Sequence, residues 1–285
     1  MKKTIRIIVI FIFAVLLVTS CTKRTTGTDL KSPKSIVSLS PASTEILFAI
    51  GAGSQVTAVS DYTDFPEAAV DLPKVGGFDG KTISMEKILS FKPELVYLTD
   101  GMHNFLIDQL NTYEIPYYLS TSESIDDVKK EILAVGELTG HTLQAQTVVN
   151  DMNKKLGKYE NLKFNKAKKA EIYYEIWNSP YISAGNKSFI NDVIVNAGGE
   201  NLFGDLDDSF PIVSEESIIA RNPKVILLPA SSGLSVESVA NRSGWKEISA
   251  VKNGKIYIID DNLFTRPGPR IADCVETLYH LLENE

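Results

Sequence analysis

Cysteine and histidine are scarce in this sequence. Its 285 residues include two cysteines, Cys21 and Cys274, and three scattered histidines, and they do not form the two pairs of ligands that a zinc site requires. If Cys21 is modified, Cys274 has no partner for a disulfide. We therefore expect no metal site and no disulfide. The helical spacing of Cys274 with Leu278 and Leu282 predicts a buried thiol.

Enzyme signatures are also missing. There is no G-x-S-x-G motif for a nucleophile. Gly80-Lys81-Thr82 resembles the end of a phosphate loop, but position 75, where the first glycine belongs, is a valine. Gly51-Ala52-Gly53 lacks the third glycine of a dinucleotide-binding turn. We expect no catalytic residues, no cofactor and no enzymatic activity. An enzyme on the same scaffold and a structural lipoprotein are the alternatives.

Long apolar runs are rare, and the run near the N-terminus is too short to span a membrane. Ile7 to Val18 are twelve residues without a polar side chain, whereas a spanning helix needs about 20. Cationic residues precede the run, and Val18-Thr19-Ser20-Cys21 follows it in the form of a bacterial lipobox. Residues 1–20 are predicted to be a lipoprotein signal peptide, and Cys21 is predicted to carry the lipid. The protein would then lie outside the cytoplasmic membrane, on the cell surface or the periplasmic face. The alternative is an uncleaved N-terminal anchor.

Basic residues are outnumbered once this leader is removed. The chain has 29 lysines and arginines against 36 aspartates and glutamates. Three of the basic residues and none of the acidic ones lie in the leader, which leaves a net charge of −10. Because nucleic-acid binding needs clustered basic residues, this charge excludes that class of function. Residues 21–34 are polar and lack apolar periodicity, and they are predicted to form a flexible tether.

Two α/β lobes are predicted after the tether. Apolar strands alternate with helical segments over residues 35–140 and again over residues 166–285, which is typical of parallel sheets. Between them, residues 141–165 repeat apolar side chains every three or four positions, which predicts a single helix of about 20 residues. This helix either joins the lobes as a strut or packs on one of them. The default ligand site is the cleft between the lobes.

An internal repeat relates the two lobes. Residues 83–98 align without gaps to residues 213–228 in the frame [IV]-S-x-E-x-I-[IL]-x-x-x-P-x-[LV]-[IV]-x-L. Each copy predicts a capped helix, a proline turn and a buried strand. A spacing of 130 residues is too long for a solenoid, so the copies predict two pseudo-symmetric lobes. Glu86 and Glu216 of the frame are either favourable charges in a first helical turn or exposed carboxylates that bind arginines of a membrane partner.

Aromatic residues lie in the predicted loops of both halves. Because ligands of open α/β sheets bind beyond the carboxyl ends of the strands, we expect these loops to converge on the cleft. Aromatic walls suit a large flat ligand, because rings bury much apolar area with little loss of entropy. For any single ring, core packing is the alternative. The five loops are Ser60–Pro66, Val75–Gly80, Trp177–Tyr181, Ser209–Pro211 and Asp260–Pro267.

Several segments resemble those of a known family. They are Ile36–Glu45, Ser60–Pro66, Ser183–Ile190, Ala197–Asn201 and Arg266–Ile271. In the order of these segments, the chain is similar to the class III periplasmic substrate-binding proteins of ABC importers, in particular to the cobalamin-binding group. This group is related to iron-siderophore and haem binders. The resemblance implies two α/β lobes joined by a single long helix, with the ligand cleft between them. It also implies a monomer that captures a corrinoid such as cobalamin and delivers it to an ABC permease dimer.

The resemblance also assigns individual residues by position. The side chains that contact the corrinoid would be Tyr62, Phe78, Trp177, Phe210, Asn262, Phe264 and Arg266. Glu86 and Glu216 would dock on the permease, which favours the second interpretation of the repeat. Ferric siderophores and haem are the alternative ligands. Arg266 is the basic residue placed to bind an anionic siderophore, and His103 is the histidine in a predicted loop that could ligate haem iron.

Overall fold

The first half of the chain forms a parallel sheet of four strands. The structure is a computed structural model that describes residues 32–163 and 169–283, so the predicted leader, Cys21 and most of the predicted tether lie outside the described residues. All three residues of the first strand are buried, as expected for a parallel sheet that is covered on both faces. The strands are β1 (Ile36–Ser38), β2 (Val56–Val59), β3 (Leu95–Thr99) and β4 (Tyr117–Ser120), in the order β2-β1-β3-β4.

The second half forms a second parallel sheet with the same topology. Its strands are β5 (Glu171–Tyr174), β8 (Glu200–Asn201), β9 (Val225–Pro229) and β10 (Ile256–Ile259), in the order β10-β9-β5-β8. In each sheet the first strand lies between the second and the third, and the fourth strand lies beyond the third. Ile36 pairs with Leu95 in the first sheet, and Ile172 pairs with Val225 at the equivalent place in the second. Between β5 and β8, β6 (Trp177–Asn178) and β7 (Tyr181–Ile182) form an antiparallel hairpin.

Helices cover both sheets. Twelve α-helices lie in the described ranges: α1 (Pro41–Ala49), α2 (Glu67–Val70), α3 (Met85–Ser90), α4 (Ile107–Thr112), α5 (Ile125–Thr139), α6 (Thr142–Lys163), α7 (Phe189–Asn196), α8 (Glu215–Arg221), α9 (Val236–Ala240), α10 (Ser249–Lys252), α11 (Asp261–Phe264) and α12 (Ile271–Glu283). The predicted fold class, two pseudo-symmetric α/β lobes joined by a long helix, is confirmed.

The repeated frame occupies equivalent places in the two lobes. The short helices α3 and α8 both begin after a serine, and the hydroxyl oxygens of Ser84 and Ser214 accept hydrogen bonds from the third helical residue at 3.2 and 3.1 Å. Each helix leads through a proline turn into the third strand of its sheet, β3 or β9. A capped helix, a turn and a buried strand were predicted for each copy, and the structure contains them.

The long helix α6 packs on both lobes. It contacts α1 and α5 of the first lobe and α7 and α12 of the second. Val149 and Met152 of this helix belong to a core cluster that also contains Ile46 of the first lobe and Leu278 of the second. A hydrogen bond also connects the two lobes: the backbone nitrogen of Ile125 in α5 donates to Asp192 in α7 at 2.8 Å. The helix therefore joins the lobes instead of covering one of them.

The described residues from Ser32 onward form a single compact unit around this shared core. Cys274 is fully buried in α12 with a free thiol, as its spacing predicted, and burial raises its pKa. The helix α5 begins after Ser124 and ends before Gly140, whose φ of +80° suits a helix C-terminus. None of the helices that the structure describes is both long and apolar enough to cross a membrane.

Candidate ligand cleft

The two lobes meet at the carboxyl ends of their strands. The loop after β2 carries Asp64, and the segment after β10 carries Asn262 and Arg266. Arg266 Nη1 donates to Asp64 Oδ1 at 2.5 Å, and Asn262 Nδ2 donates to Asp64 Oδ2 at 3.1 Å. The hydrogen bond from Arg266 holds the pKa of the Asp64 carboxyl below its usual value of 3.8. The carboxyl edges of the two sheets therefore face one another, as the sequence predicts for the walls of a cleft.

A buried ion pair lies behind this contact. Glu45 in α1 is 3% exposed and accepts hydrogen bonds from Arg270 Nε and Nη2 at 2.8 and 2.6 Å. Arg266 Nη1 also donates to Glu45 Oε1, at 3.3 Å. Glu45 belongs to the first lobe and both arginines belong to the second, so the pair fixes the lobes to one another. Neither Glu45 nor Asp64 was among the residues predicted for the site.

Two stacked rings line the first lobe at its carboxyl edge. Tyr62 and Phe78 lie with ring centroids 4.5 Å apart and an interplanar angle of 16°. Gly77 makes room for them, because a Cβ at this position would lie 3.0 Å from Cε2 of Tyr62. Tyr62 is 55% exposed, so about half of its surface remains accessible to a ligand. Both residues were predicted for the site, and the structure brings them together.

Two further rings at this edge were not predicted. Phe65 is exposed, and the guanidinium of Arg270 lies 4.1 Å from its ring centre. Phe105, also exposed, lies against Gly80, and its Cε2 is 3.5 Å from the position of a Cβ there. Phe65 lies within one of the loops named from the sequence, where its aromatic character was the available signal. Phe105 follows β3, in a segment that was not named.

The second lobe contributes an exposed apolar row. Trp177 pairs with Ile182 across the β6–β7 hairpin, and Ile182 forms a bridge to Ile212. Directly opposed residues of antiparallel strands project to the same face, so these three side chains lie side by side. Trp177 and Ile212 are 55% and 70% exposed, and Phe210, two residues before Ile212, is also exposed. Trp177 and Phe210 were predicted for the site, whereas Ile212 was missed.

A buried ion pair holds the beginning of this hairpin. Glu175 is 1% exposed and pairs with Arg242 in bidentate geometry at 2.6 and 2.7 Å. The guanidinium lies 4.5 Å from the ring centre of Trp245, which is fully buried. Trp245 Nε1 in turn donates to Glu215 at 2.7 Å. Unlike the pair between Glu45 and Arg270, this pair lies entirely within the second lobe.

Phe264 does not line the cleft. The sequence assigned it to the ligand site, but it is 2% exposed and belongs to the central core cluster. The segment after β10 forms the short helix α11 and not an extended loop, and Asp260 accepts the hydrogen bond that starts this helix. The helical turn directs Phe264 into the core and leaves Asn262 exposed. Burying this large apolar ring in the core is more favourable than leaving it exposed to water in the cleft.

His103 is unsuited to ligate haem iron. Its ring is fully buried, and Nδ1 accepts a hydrogen bond from the backbone nitrogen of Thr99 at 2.9 Å. The neutral ring then carries its proton on Nε2, so neither nitrogen has a free lone pair. Nε2 has no hydrogen-bond partner among the described residues. Burial lowers the pKa of His103 to about 4, which keeps the ring neutral at physiological pH.

Acid is therefore expected to destabilise the fold through His103. The folded-state pKa lies below the unfolded value of 6.5, so only the unfolded chain binds a proton as the pH falls from 6.5 towards 4. The shift corresponds to about 3 kcal/mol of unfolding free energy. Urea denaturation at pH 7 and pH 4.5 measures most of this loss. His103→Asn, which retains an acceptor for Thr99, should reduce it, whereas His280→Asn on the exposed side of α12 should not. An equal loss in both variants would contradict the role of His103.

Glu86 and Glu216 are equivalent in position and exposure. Each is the second residue of its helix, α3 or α8, and each is exposed. Glu86 lies eight residues after Phe78 in the chain, and Glu216 lies six residues after Phe210. The two carboxylates thus occupy matching points on the two lobes. They serve the helix as first-turn charges, and they are also available to a partner.

The fold and the cleft define a bilobal substrate-binding protein. Among the residues that the structure describes, no group of histidine, cysteine, aspartate and glutamate could hold a metal ion. The chain belongs to the periplasmic binding protein family, whose sequence model matches residues 36–263. It is therefore an extracytoplasmic substrate-binding protein of the kind that serves ABC transporters, and not an enzyme.

The descriptions of individual relatives agree with this family assignment. The vitamin B12-binding protein of Vibrio parahaemolyticus is 28% identical over 242 residues, which cover 84% of this chain and 86% of the relative. The ABC transporter substrate-binding lipoprotein YvrC of Bacillus subtilis is 30% identical over 255 residues, which cover 87% of this chain and 79% of the relative. A crystal structure from Staphylococcus epidermidis, described as a possible iron-binding (periplasmic solute-binding) protein, is 29% identical. It superposes with a TM-score of 0.77 over 88% of this chain and 99% of that one.

Proposed function

We propose that the chain captures a corrinoid such as cobalamin outside the cytoplasmic membrane and delivers it to the permease of an ABC transporter. The observation that carries the proposal is the pair of apolar walls at the facing edges of the lobes. Large exposed apolar groups gathered in one place mark a binding surface. Tyr62 and Phe78 form one wall, and Trp177, Phe210 and Ile212 form the other. A corrinoid is large and flat, with apolar faces and polar edges, and suits such walls.

The polar residues between the walls suit the edge of the same ligand. Asn262 and Arg266 lie where the lobes meet, and their side chains carry hydrogen-bond donors that amide groups of a corrinoid can accept. The name of the Vibrio parahaemolyticus relative, a vitamin B12-binding protein, supports this choice of ligand. The corrinoid is cargo in this proposal, and the protein, acting as a monomer, has no cofactor of its own.

Attachment and delivery complete the proposal. Cys21 would carry the lipid after removal of residues 1–20, and the tether up to residue 34 would keep the cleft close to the membrane. The name of the Bacillus subtilis relative, a substrate-binding lipoprotein, supports the anchor. Glu86 and Glu216 would bind arginines of the permease dimer, one glutamate for each subunit, because each lobe presents one of them at an equivalent point.

A ligand panel tests the corrinoid. We expect cobalamin to bind saturably in equilibrium dialysis and to quench the fluorescence of Trp177, whereas a ferric siderophore and haem bind weakly. Tyr62→Ala removes one stacked ring and should weaken cobalamin binding by about 30-fold, which corresponds to about 2 kcal/mol. Tyr113→Ala is the matched control, because Tyr113 is also 55% exposed but precedes β4 at the amino edge of the sheet. Equal losses in the two variants would contradict the proposed wall.

A ferric siderophore is the second candidate ligand. The observation in its favour is the 29% identical structure from Staphylococcus epidermidis, which is described as a possible iron-binding protein. The same panel separates the two candidates. Saturable binding of the siderophore without binding of cobalamin would replace the corrinoid and leave the fold and the transport role unchanged.

A further inference from the structure

The environment of Arg266 bears on the charge of the ligand. We propose that Asp64 selects the charge class of the ligand: its carboxylate occupies the guanidinium of Arg266, so that the cleft accepts ligands without net negative charge and rejects anionic ones. This inference rests on the proposed function, because it assumes that the ligand lies between the two lobes. It names Asp64 as a specificity-determining residue and identifies the ligand class by charge.

Three of the five N–H donors of Arg266 are already used. Nη1 donates to Asp64 Oδ1 at 2.5 Å and to Glu45 Oε1 at 3.3 Å, and Nη2 donates to Asn262 Oδ1 at 2.8 Å. The side chain of Arg266 is 10% exposed, whereas that of Asp64 is 51% exposed. Asp64 is thus the outer member of the pair and lies between the guanidinium and solvent. An anionic ligand would have to displace this carboxylate before it could reach Arg266.

Displacement would not remove the negative charge. Asp64 would remain beside the incoming anion, and like charges placed together at a binding site are unfavourable. The charge of Arg270 is likewise balanced, because Nε and Nη2 both donate to the buried carboxylate of Glu45. The two guanidinium groups and the two carboxylates of this cluster cancel. A ligand that approaches between the lobes therefore meets no excess positive charge here.

The surrounding loops are acidic as well. Residues 60–66, 75–83, 202–213 and 260–266 together contain eight aspartates. Three of these are paired, Asp64 with Arg266, Asp205 with Arg221 and Asp207 with Lys187, which leaves five aspartates against Lys81. The field of such a rim repels anions and attracts cations over about a Debye length. The acidic loops and the neutralised arginines both disfavour an anionic ligand. They favour a corrinoid without net negative charge over a polyanionic iron chelate or the two carboxylates of haem.

Asp64→Asn tests the role of the carboxylate. Asparagine keeps an acceptor for Arg266 but removes the charge, so the fold should be retained. We expect its affinity for a ferric tricatecholate, an anionic probe, to rise by about tenfold or more at low salt, which is a much larger change than in its affinity for cobalamin. The gain should shrink as the ionic strength rises. Equilibrium dialysis measures both ligands.

Two further variants make the outcome specific. Asp61→Asn removes the same charge from the same loop and keeps the acceptor for the Gly76 nitrogen, so it should give much less gain. Asn262→Asp, added to Asp64→Asn, returns a carboxylate to the same guanidinium and should reverse the gain. Equal gains from Asp64→Asn and Asp61→Asn, or no gain from either, would overturn the inference. Failure of cobalamin to bind any variant would refute the corrinoid proposal alone, because a gain for the anionic probe in Asp64→Asn would still support charge selection.

Discussion

Reversing the charges of Glu86 and Glu216 together is expected to abolish ligand uptake by cells while leaving ligand affinity unchanged. In the proposed complex each carboxylate faces an arginine of the permease, so Glu86→Lys with Glu216→Lys converts two attractions into two repulsions. Both residues are exposed, and the serines that cap their helices are retained, so each change should cost only about 0.3–1 kcal/mol of stability. Uptake of labelled ligand by cells and equilibrium dialysis of the purified protein measure the two quantities.

The chain offers a closely matched control for this variant. Glu67 and Glu237 are also exposed first-turn glutamates of short helices, α2 and α9, and one lies in each lobe. Glu67→Lys with Glu237→Lys introduces the same change in net charge, and we expect it to leave most of the uptake intact. Loss of uptake in both double variants would point to the net charge of the surface, and uptake that survives reversal of Glu86 and Glu216 would remove the docking proposal.

The sequence could predict the lobes because their signals are local. Each buried strand is a short apolar run, and each copy of the repeated frame places a serine cap, a helix and a proline turn within sixteen residues. The periodicity of residues 141–165 likewise predicted α6, which extends from Thr142 to Lys163. Whether this helix packs on one lobe or on both depends on contacts with distant elements. That question required the structure.

The site was less predictable because its polar contacts are distant in sequence. Arg266 contacts Asp64 and Glu45, which are 202 and 221 residues away. A single sequence carries no signal for such a pair, so Arg266 could be mistaken for a free binder of anions. Phe264 shows a second limit of prediction from sequence, which concerns the burial of a ring. Its ring could not be distinguished from a cleft ring until α11 was seen to direct it into the core.

Replacing Glu45 by alanine is expected to lower the free energy of unfolding by about 3–5 kcal/mol. The change leaves the guanidinium of Arg270 without its bidentate partner, in a position where only 26% of the side chain is exposed. Taking a charge out of water without a counter-ion is costly, and removing one partner of a buried pair costs more than the intact pair contributes. Urea denaturation at pH 7 measures the loss. Removing Arg270 as well should recover part of it, because the second charge is then absent.

The pair between Glu175 and Arg242 is the matched control, because it has the same bidentate geometry but lies within one lobe. Glu175→Ala should cost a similar free energy and raise hydrogen exchange in the second lobe alone. Glu45→Ala should raise exchange in α1 and at the start of α12 together, since Glu45 and Arg270 belong to different lobes. A loss below about 1 kcal/mol, as for an exposed ion pair, would mean that water already solvates the Glu45 pair. The two lobes would then be held together by the apolar packing of α6 and not by charge.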